Sequence, residues 1–176
     1  MKTSLINARN AAALSLVLAS GHVLADHHSE VPDAVKVPEG NMKSLTTTAQ
    51  GTVAWLCKDG DQGVAWTVAG PAAVLSDKDG KPAISYYGPP ATWEAMDGSK
   101  VTGKQLATAP AGEGNIPFQL VEASNSEKEG WLKDVTYIQR LNLKGGAAPM
   151  TGCDSDNIGK KVLVAYTGEY VFWKAK

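Results

Sequence analysis

Short apolar runs rich in β-branched and aromatic residues, set apart by clusters of Gly, Pro, Asp and Asn, govern what this chain can fold into from about residue 50 onward. No stretch of a dozen residues there holds a helical apolar period free of Gly or Pro, so helices find no footing. Candidate strands fall at 52–57, 64–68, 73–75, 83–87, 92–95, 101–107, 117–122, 131–143 and 161–173. Three of the breaks between them, Lys58-Asp59-Gly60, Lys78-Asp79-Gly80 and Met96-Asp97-Gly98, place Asp-Gly where a tight reversal needs positive φ. In the last strand Val162, Val164, Tyr166, Gly168, Tyr170 and Phe172 share one face, and Leu163, Ala165, Thr167, Glu169, Val171 and Trp173 the other. Both faces carry apolar residues, the mark of a central strand or of two short ones bent at Gly168. The pattern predicts an all-β fold, a single-domain β-sandwich or a partly closed barrel.

The first 25 residues carry a different signal. Lys2 and Arg9, the short apolar run 11–18, and Val23-Leu24-Ala25 predict an export signal cleaved before Asp26. The run is too short to span a bilayer, and no later stretch reaches the length a membrane helix needs. A periplasmic or extracellular protein is expected, with residues 26–48, polar and broken by Pro32 and Pro38, as an extended arm and 49–176 as the β domain. Cleavage removes two basic and no acidic residues, so the formal charge moves from −1 to −3. The mildly acidic surface and scattered lysines argue against a nucleic-acid or anionic-membrane partner. No sequence feature fixes an oligomeric state. Cys57 and Cys153 are the two cysteines, and in an exported chain they are expected to form a disulfide; no Cys-x-x-Cys spacing suggests redox or metal chemistry.

In chain order the blocks read Gly51-Thr-Val-Ala-Trp-Leu-Cys57, Gly88-Pro89, Thr92-Trp93-Glu94-Ala95-Met96-Asp97-Gly98-Ser99-Lys100-Val101-Thr102-Gly103, and Ile116-Pro117-Phe118. They continue with Gly130-Trp131-Leu132 through Gly146, Pro149, Cys153, Tyr166 and Tyr170-Val171-Phe172. Over residues 50–173 this series resembles DUF3455, a family of exported bacterial and fungal domains of unknown function. The resemblance implies one domain and assigns no reaction. Some fungal members carry a malate dehydrogenase label, which this chain does not support, having neither a G-x-G-x-x-G after a strand nor a βαβ pattern. Members tend to have a histidine shortly before the Gly-Pro and Trp block, where this chain reads Ala83-Ile84-Ser85-Tyr86-Tyr87 and carries two extra residues before Thr92. A metal or acid–base role for that histidine therefore does not transfer.

Three constellations bear on function. Cleavage after Ala25 would expose Asp26-His27-His28, whose α-amine, two amides and third-position imidazole offer Cu(II) or Ni(II) four planar nitrogens; otherwise the segment is a solvated terminus. Trp93, Glu94, Asp97 and Ser99 gather around a turn, either as two carboxylates beside a stacking ring for a carbohydrate or its hydrolysis, or as turn and core residues. Arg140, the sole arginine after processing, lies in an apolar strand and calls for a partner, for which Glu94, Asp97 and Asp134 are the candidates. Sealed from water the pair would organise the fold; facing a cleft it would bind a polar or anionic ligand. There is no G-x-S-x-G elbow, no phosphate loop, and no histidine within the folded body. The expectation is a non-catalytic binding protein for a small polar or carbohydrate-like ligand, without a cofactor unless Cu(II) binds the mature N-terminus. The alternatives are a carboxylate-dependent hydrolase using Glu94 and Asp97, and copper handling by Asp26, His27 and His28.

Overall fold

β-Branched and aromatic residues in alternation favour a pleated surface with one face buried, and eight such segments close on themselves here. The computed structural model describes residues 31–176. Its strands are β1 (Asn41–Gly60), β2 (Gly63–Ser76), β3 (Pro82–Tyr87), β4 (Thr92–Ala95), β5 (Lys100–Ala109), β6 (Phe118–Ala123), β7 (Val135–Gly145) and β8 (Lys161–Ala175). Each pairs antiparallel with its neighbour in sequence, and β8 returns to β1 over most of its length, giving a closed up-and-down barrel. Of sandwich and barrel the chain takes the barrel, while residues 63–71 of β2 and 161–165 of β8 run past the ring, paired only with β1. The described residues contain no α-helix, only the 3-10 turns Asp33–Val35 and Ser155–Asn157.

The Asp-Gly reversals hold at two sites. Gly80 and Gly98 take φ of 78° and 82°, and the carboxylates of Asp77 and Asp97 accept backbone N–H bonds two residues on. The third is displaced: Asp59 and Gly60 stay in β1, and the two-residue turn is Asp61-Gln62, between the paired Gly60 and Gly63. Here Gly63 (φ 93°) supplies the positive φ, so the pairing of β1 with β2 extends past the Asp-Gly.

The alternation of β8 has a different basis from a strand buried between layers. Its even-numbered residues line the barrel, with Tyr166, Tyr170 and Phe172 at 2%, 1% and 0% exposure, and the strand runs unbroken through Gly168. On the outer face Val171 is also buried, beneath Val35 and the chain around it, whereas Leu163 is 65% exposed. The segment expected as an extended arm therefore does two structural jobs. Residues 41–48 are the first part of β1, paired with β8, and Val35 plugs an outer cluster of Ala109, Leu120, Leu141 and Val171. Gln139 Nε2 donates to Val35 O at 2.6 Å and fixes that contact. Prolines and polar residues hid this role, because residues 41–48 hold only Met42 and Leu45 as apolar side chains among polar ones.

The main core lies inside the barrel. Leu132, Val135, Phe172 and Leu75 are fully buried, as are Trp93, Ile138 and Tyr170. β7 begins four residues later than the alternation predicts, because Asp134 adopts φ 60° and residues 130–135 form turns that seat Leu132 in the core. At the opposite end Cys57 is disulfide-bonded to Cys153, and the loop before β8 is tied to β1 by Cys57 N–Lys160 O and Gly159 N–Cys57 O, both 2.9 Å.

Candidate functional site

Strand pairing decides which side chains meet inside the barrel. Directly opposed residues share a face, and Val121 of β6 lies opposite Ile138 of β7, both in the core. Two residues along, Gln119 lies opposite Arg140, so both face inward. Arg140 also lies opposite Tyr170 of β8, and Gln105 of β5 lies opposite Val121. A row of polar side chains thus crosses the inner wall as Gln105, Gln119, Arg140 and Tyr170. Gln119 Nε2 donates to Gln105 Oε1, and Gln105 is solvent-exposed while Tyr170 is buried, so the row runs from water to the core.

Beside this row stands an aromatic cluster. Tyr86 stacks on Trp93 with ring centroids 4.5 Å apart and leans on Tyr170 at 5.4 Å. Tyr166 and Tyr170 join their hydroxyls at 3.0 Å. Trp93 lies against Gly103, where an added Cβ would come within 2.8 Å of the indole, so the ring needs a glycine there. Burial pushes the Tyr86 phenol up to about 12, and likewise raises Tyr166 and, further still, Tyr170. The Arg140 charge opposes the rise at all three, and Arg140 lies directly opposite Tyr170 in the sheet. All three remain protonated donors at neutral pH.

Arg140 has none of its expected partners. Among the described residues no carboxylate oxygen lies within salt-bridge distance of it. Nη2 donates to Pro117 O at 3.0 Å, and Nε is buried without an acceptor. Trp93 Nε1 is likewise buried and unpartnered, as is the acceptor Gln119 Oε1. The reason is topological: Arg140 points inward, Glu94 lies on the outer wall, Asp97 is in the β4–β5 turn, and Asp134 precedes β7.

The turn constellation separates in the same way. Trp93 faces in, and Glu94 faces out, where its Oε2 accepts from Tyr87 Oη at 2.8 Å. Asp97 is fully engaged: Oδ1 accepts from Ser99 N (2.8 Å) and Ser99 Oγ (2.6 Å), and Oδ2 from Trp131 N (2.7 Å). Ser99, itself buried, accepts from Leu132 N at 3.1 Å. Partial desolvation would raise the Asp97 carboxyl, but the bonds from Ser99 and Trp131 and the Lys128 charge outweigh it and hold it below the usual carboxylate range. Trp93 and Arg140 thus share the interior, Asp97 and Ser99 form a brace between two turns, and Glu94 belongs to neither.

Sequence reasoning passed over Tyr86, Tyr166, Tyr170, Gln105 and Gln119 as site residues. The signal was there in part: two tyrosines share a face with Phe172, and Gln119 interrupts an inward alternation with Val121. Asp26, His27 and His28 lie outside the described residues. Among the described residues no group of three metal-ligating side chains comes together, and no helix is long and apolar enough to cross a membrane.

The family described as "Protein of unknown function (DUF3455)" matches residues 38–174, nearly the whole barrel. The chain belongs to the DUF3455 family. No curated protein and no solved structure matches it. The DUF3455 match begins just before β1 and ends within β8, so the barrel is the family's unit and the inward row lies wholly inside it.

Proposed function

We propose that this DUF3455 protein is an exported, periplasmic or extracellular, non-catalytic binding protein that takes one small polar ligand into its barrel. An eight-stranded barrel has an interior just wide enough to be filled by side chains or to hold one small molecule. The observation that carries the reading is Arg140: an inward guanidinium, half-buried, with no carboxylate partner among the described residues and three protonated tyrosines in its field. Within a fold, such a charge is ordinarily matched by a fixed acid, because its desolvation costs several kcal/mol. Left unmatched, next to a row that opens to water at Gln105, it is suited to a ligand's polar group. Binding accounts for this placement better than turnover does, since Glu94 and Asp97 do not converge and Asp97 has no free oxygen. Export is supported by the leader-like residues 1–25 and by the Cys57–Cys153 disulfide.

The test is a native mass spectrum of untagged protein recovered from its export compartment, paired with tryptophan fluorescence. A small-molecule adduct released on denaturation, with emission changed by its return to stripped protein, is the expected result. A bare mass, together with unchanged fluorescence across a panel of simple sugars and organic acids, would count against a binding role.

A further inference from the structure

The imbalance of donors and acceptors around Arg140 specifies the ligand further, on the reading that the barrel interior binds one. The buried side-chain atoms without a hydrogen-bond partner among the described residues are Arg140 Nε and Trp93 Nε1, both donors, and Gln119 Oε1, a neutral amide oxygen, all on inward-facing residues. Tyr166 and Tyr170 satisfy one another with one hydroxyl hydrogen, which leaves the other hydrogen to give. The site thus carries a positive charge and surplus N–H and O–H groups, and no anionic acceptor. Its complement is negative and rich in lone pairs.

The charge count narrows it. The inward row contains one cation and no lysine: Lys100 and Lys104 of β5 pair across to the outward Glu94 and Glu122, and Lys144 of β7 is exposed. One guanidinium balances one negative charge, whereas a phosphate dianion at neutral pH would keep an uncompensated charge in a half-buried site. With one Nη2 hydrogen on Pro117 O, the guanidinium is held in place, and its unpartnered Nε–H and the second Nη2 hydrogen are left for the two oxygens of a carboxylate. On the same inner face Ile138 and Val121 oppose one another beside the Arg140–Gln119 pair, and Tyr86, stacked on Trp93, leans on Tyr170, the cross-strand neighbour of Arg140, an aromatic and aliphatic lining that suits an organic remainder.

We infer that the barrel binds a small organic monocarboxylate, its carboxylate on Arg140 and its apolar part against Tyr86 and Trp93. Gln105 and Gln119 mark its way in, and the tyrosine hydroxyls supply further hydrogen bonds to the carboxylate.

The experiment titrates the disulfide-intact protein, stripped of any adduct, with acetate, butyrate and benzoate, and in parallel with acetamide, butyramide and benzamide, reading tryptophan emission and the tyrosine difference spectrum. The acids are expected to bind at least about tenfold more tightly than their amides, a difference of about 1.4 kcal/mol, with benzoate ahead of acetate. Arg140→Gln should erase the preference for acid over amide, and Arg140→Lys should keep part of it. Should Arg140→Gln fail to fold, the wild-type comparison of acid with amide still decides the matter. Equal binding of acids and amides, or binding of neutral sugars alone, overturns the carboxylate assignment while leaving a binding protein. No response to any of these probes or to sugars overturns both.

Discussion

Asp97 shows how a residue with the composition of an active site serves as a brace. Its carboxylate collects Ser99 N, Ser99 Oγ and Trp131 N, and so fastens the β4–β5 turn to the loop that carries Leu132 into the core. Asp97→Ala leaves Ser99 Oγ and Trp131 N without their acceptor and is expected to cost about 1–2 kcal/mol, read by urea unfolding at neutral pH. Because the folded carboxyl is held below its unfolded value, this stabilisation is complete above the unfolded pKa, near about 4, and is lost as pH falls through the folded pKa. The gap between wild type and variant should therefore narrow on acidification; a gap that stays constant with pH would mean the carboxylate's charge contributes nothing. At this scale the sequence was informative about turn chemistry and poor about convergence. Trp93, Glu94 and Asp97 are close in sequence, yet a two-residue period sends Trp93 and Glu94 to opposite sides of the wall, and the turn carries Asp97 beyond it. Arg140 was conspicuous as a charge among apolar neighbours, but its surroundings, Gln119, Tyr170 and Tyr86, come from three other strands whose register no local pattern displays.

At the scale of elements, the segment before β1 was the least legible. Val35 is fully buried over Leu120, Leu141 and Val171, although it belongs to a three-residue turn with no strand partner. Truncating it to alanine removes two methyl groups from a packed contact, about 0.8 kcal/mol per carbon before any cavity cost, so Val35→Ala should destabilise the barrel by about 2 kcal/mol. Leu163→Ser, on the same outer face of β8 but largely exposed, should change stability by less than about 0.5 kcal/mol. Equal effects from the two variants would show that residues 31–37 do not seal the wall. The runs 64–68 and 73–75, expected as two strands, join into the single β2 through Gly70-Pro71, whereas strands β3 to β6 followed from alternation and turns, with β4 on the residues expected of it. β1 did not, because threonine and glutamine through 46–50 read as linker until a partner strand fixes them; that partner is β8, more than a hundred residues away.

Closure of the whole molecule rests on that distant pairing, and the disulfide acts beside it. Cys57 and Cys153 are 96 residues apart, and the segment bearing Cys153 is also held to β1 and β2 by backbone bonds at Cys57 and by Trp66 Nε1 donating to Thr151 O at 3.2 Å. Cutting the covalent link therefore leaves the folded contacts in place, and its effect falls on the unfolded chain, which is released from a loop spanning most of the domain. The chain-entropy account gives roughly 4 to 5 kcal/mol for a loop of this size, an upper figure where the unfolded chain stays compact. Cys57→Ala combined with Cys153→Ala should lower the free energy of unfolding by an amount approaching this. It should also steepen its dependence on urea, since the freed chain exposes more surface. Far-ultraviolet circular dichroism and tryptophan emission of the folded variant should match wild type, because Trp93 and its neighbours lie within the strand-paired barrel. A loss under about 1 kcal/mol with an unchanged urea slope would place the barrel's stability in the β1–β8 seam alone. A full loss with altered tryptophan emission would show instead that the staple shapes the interior in which Arg140 sits.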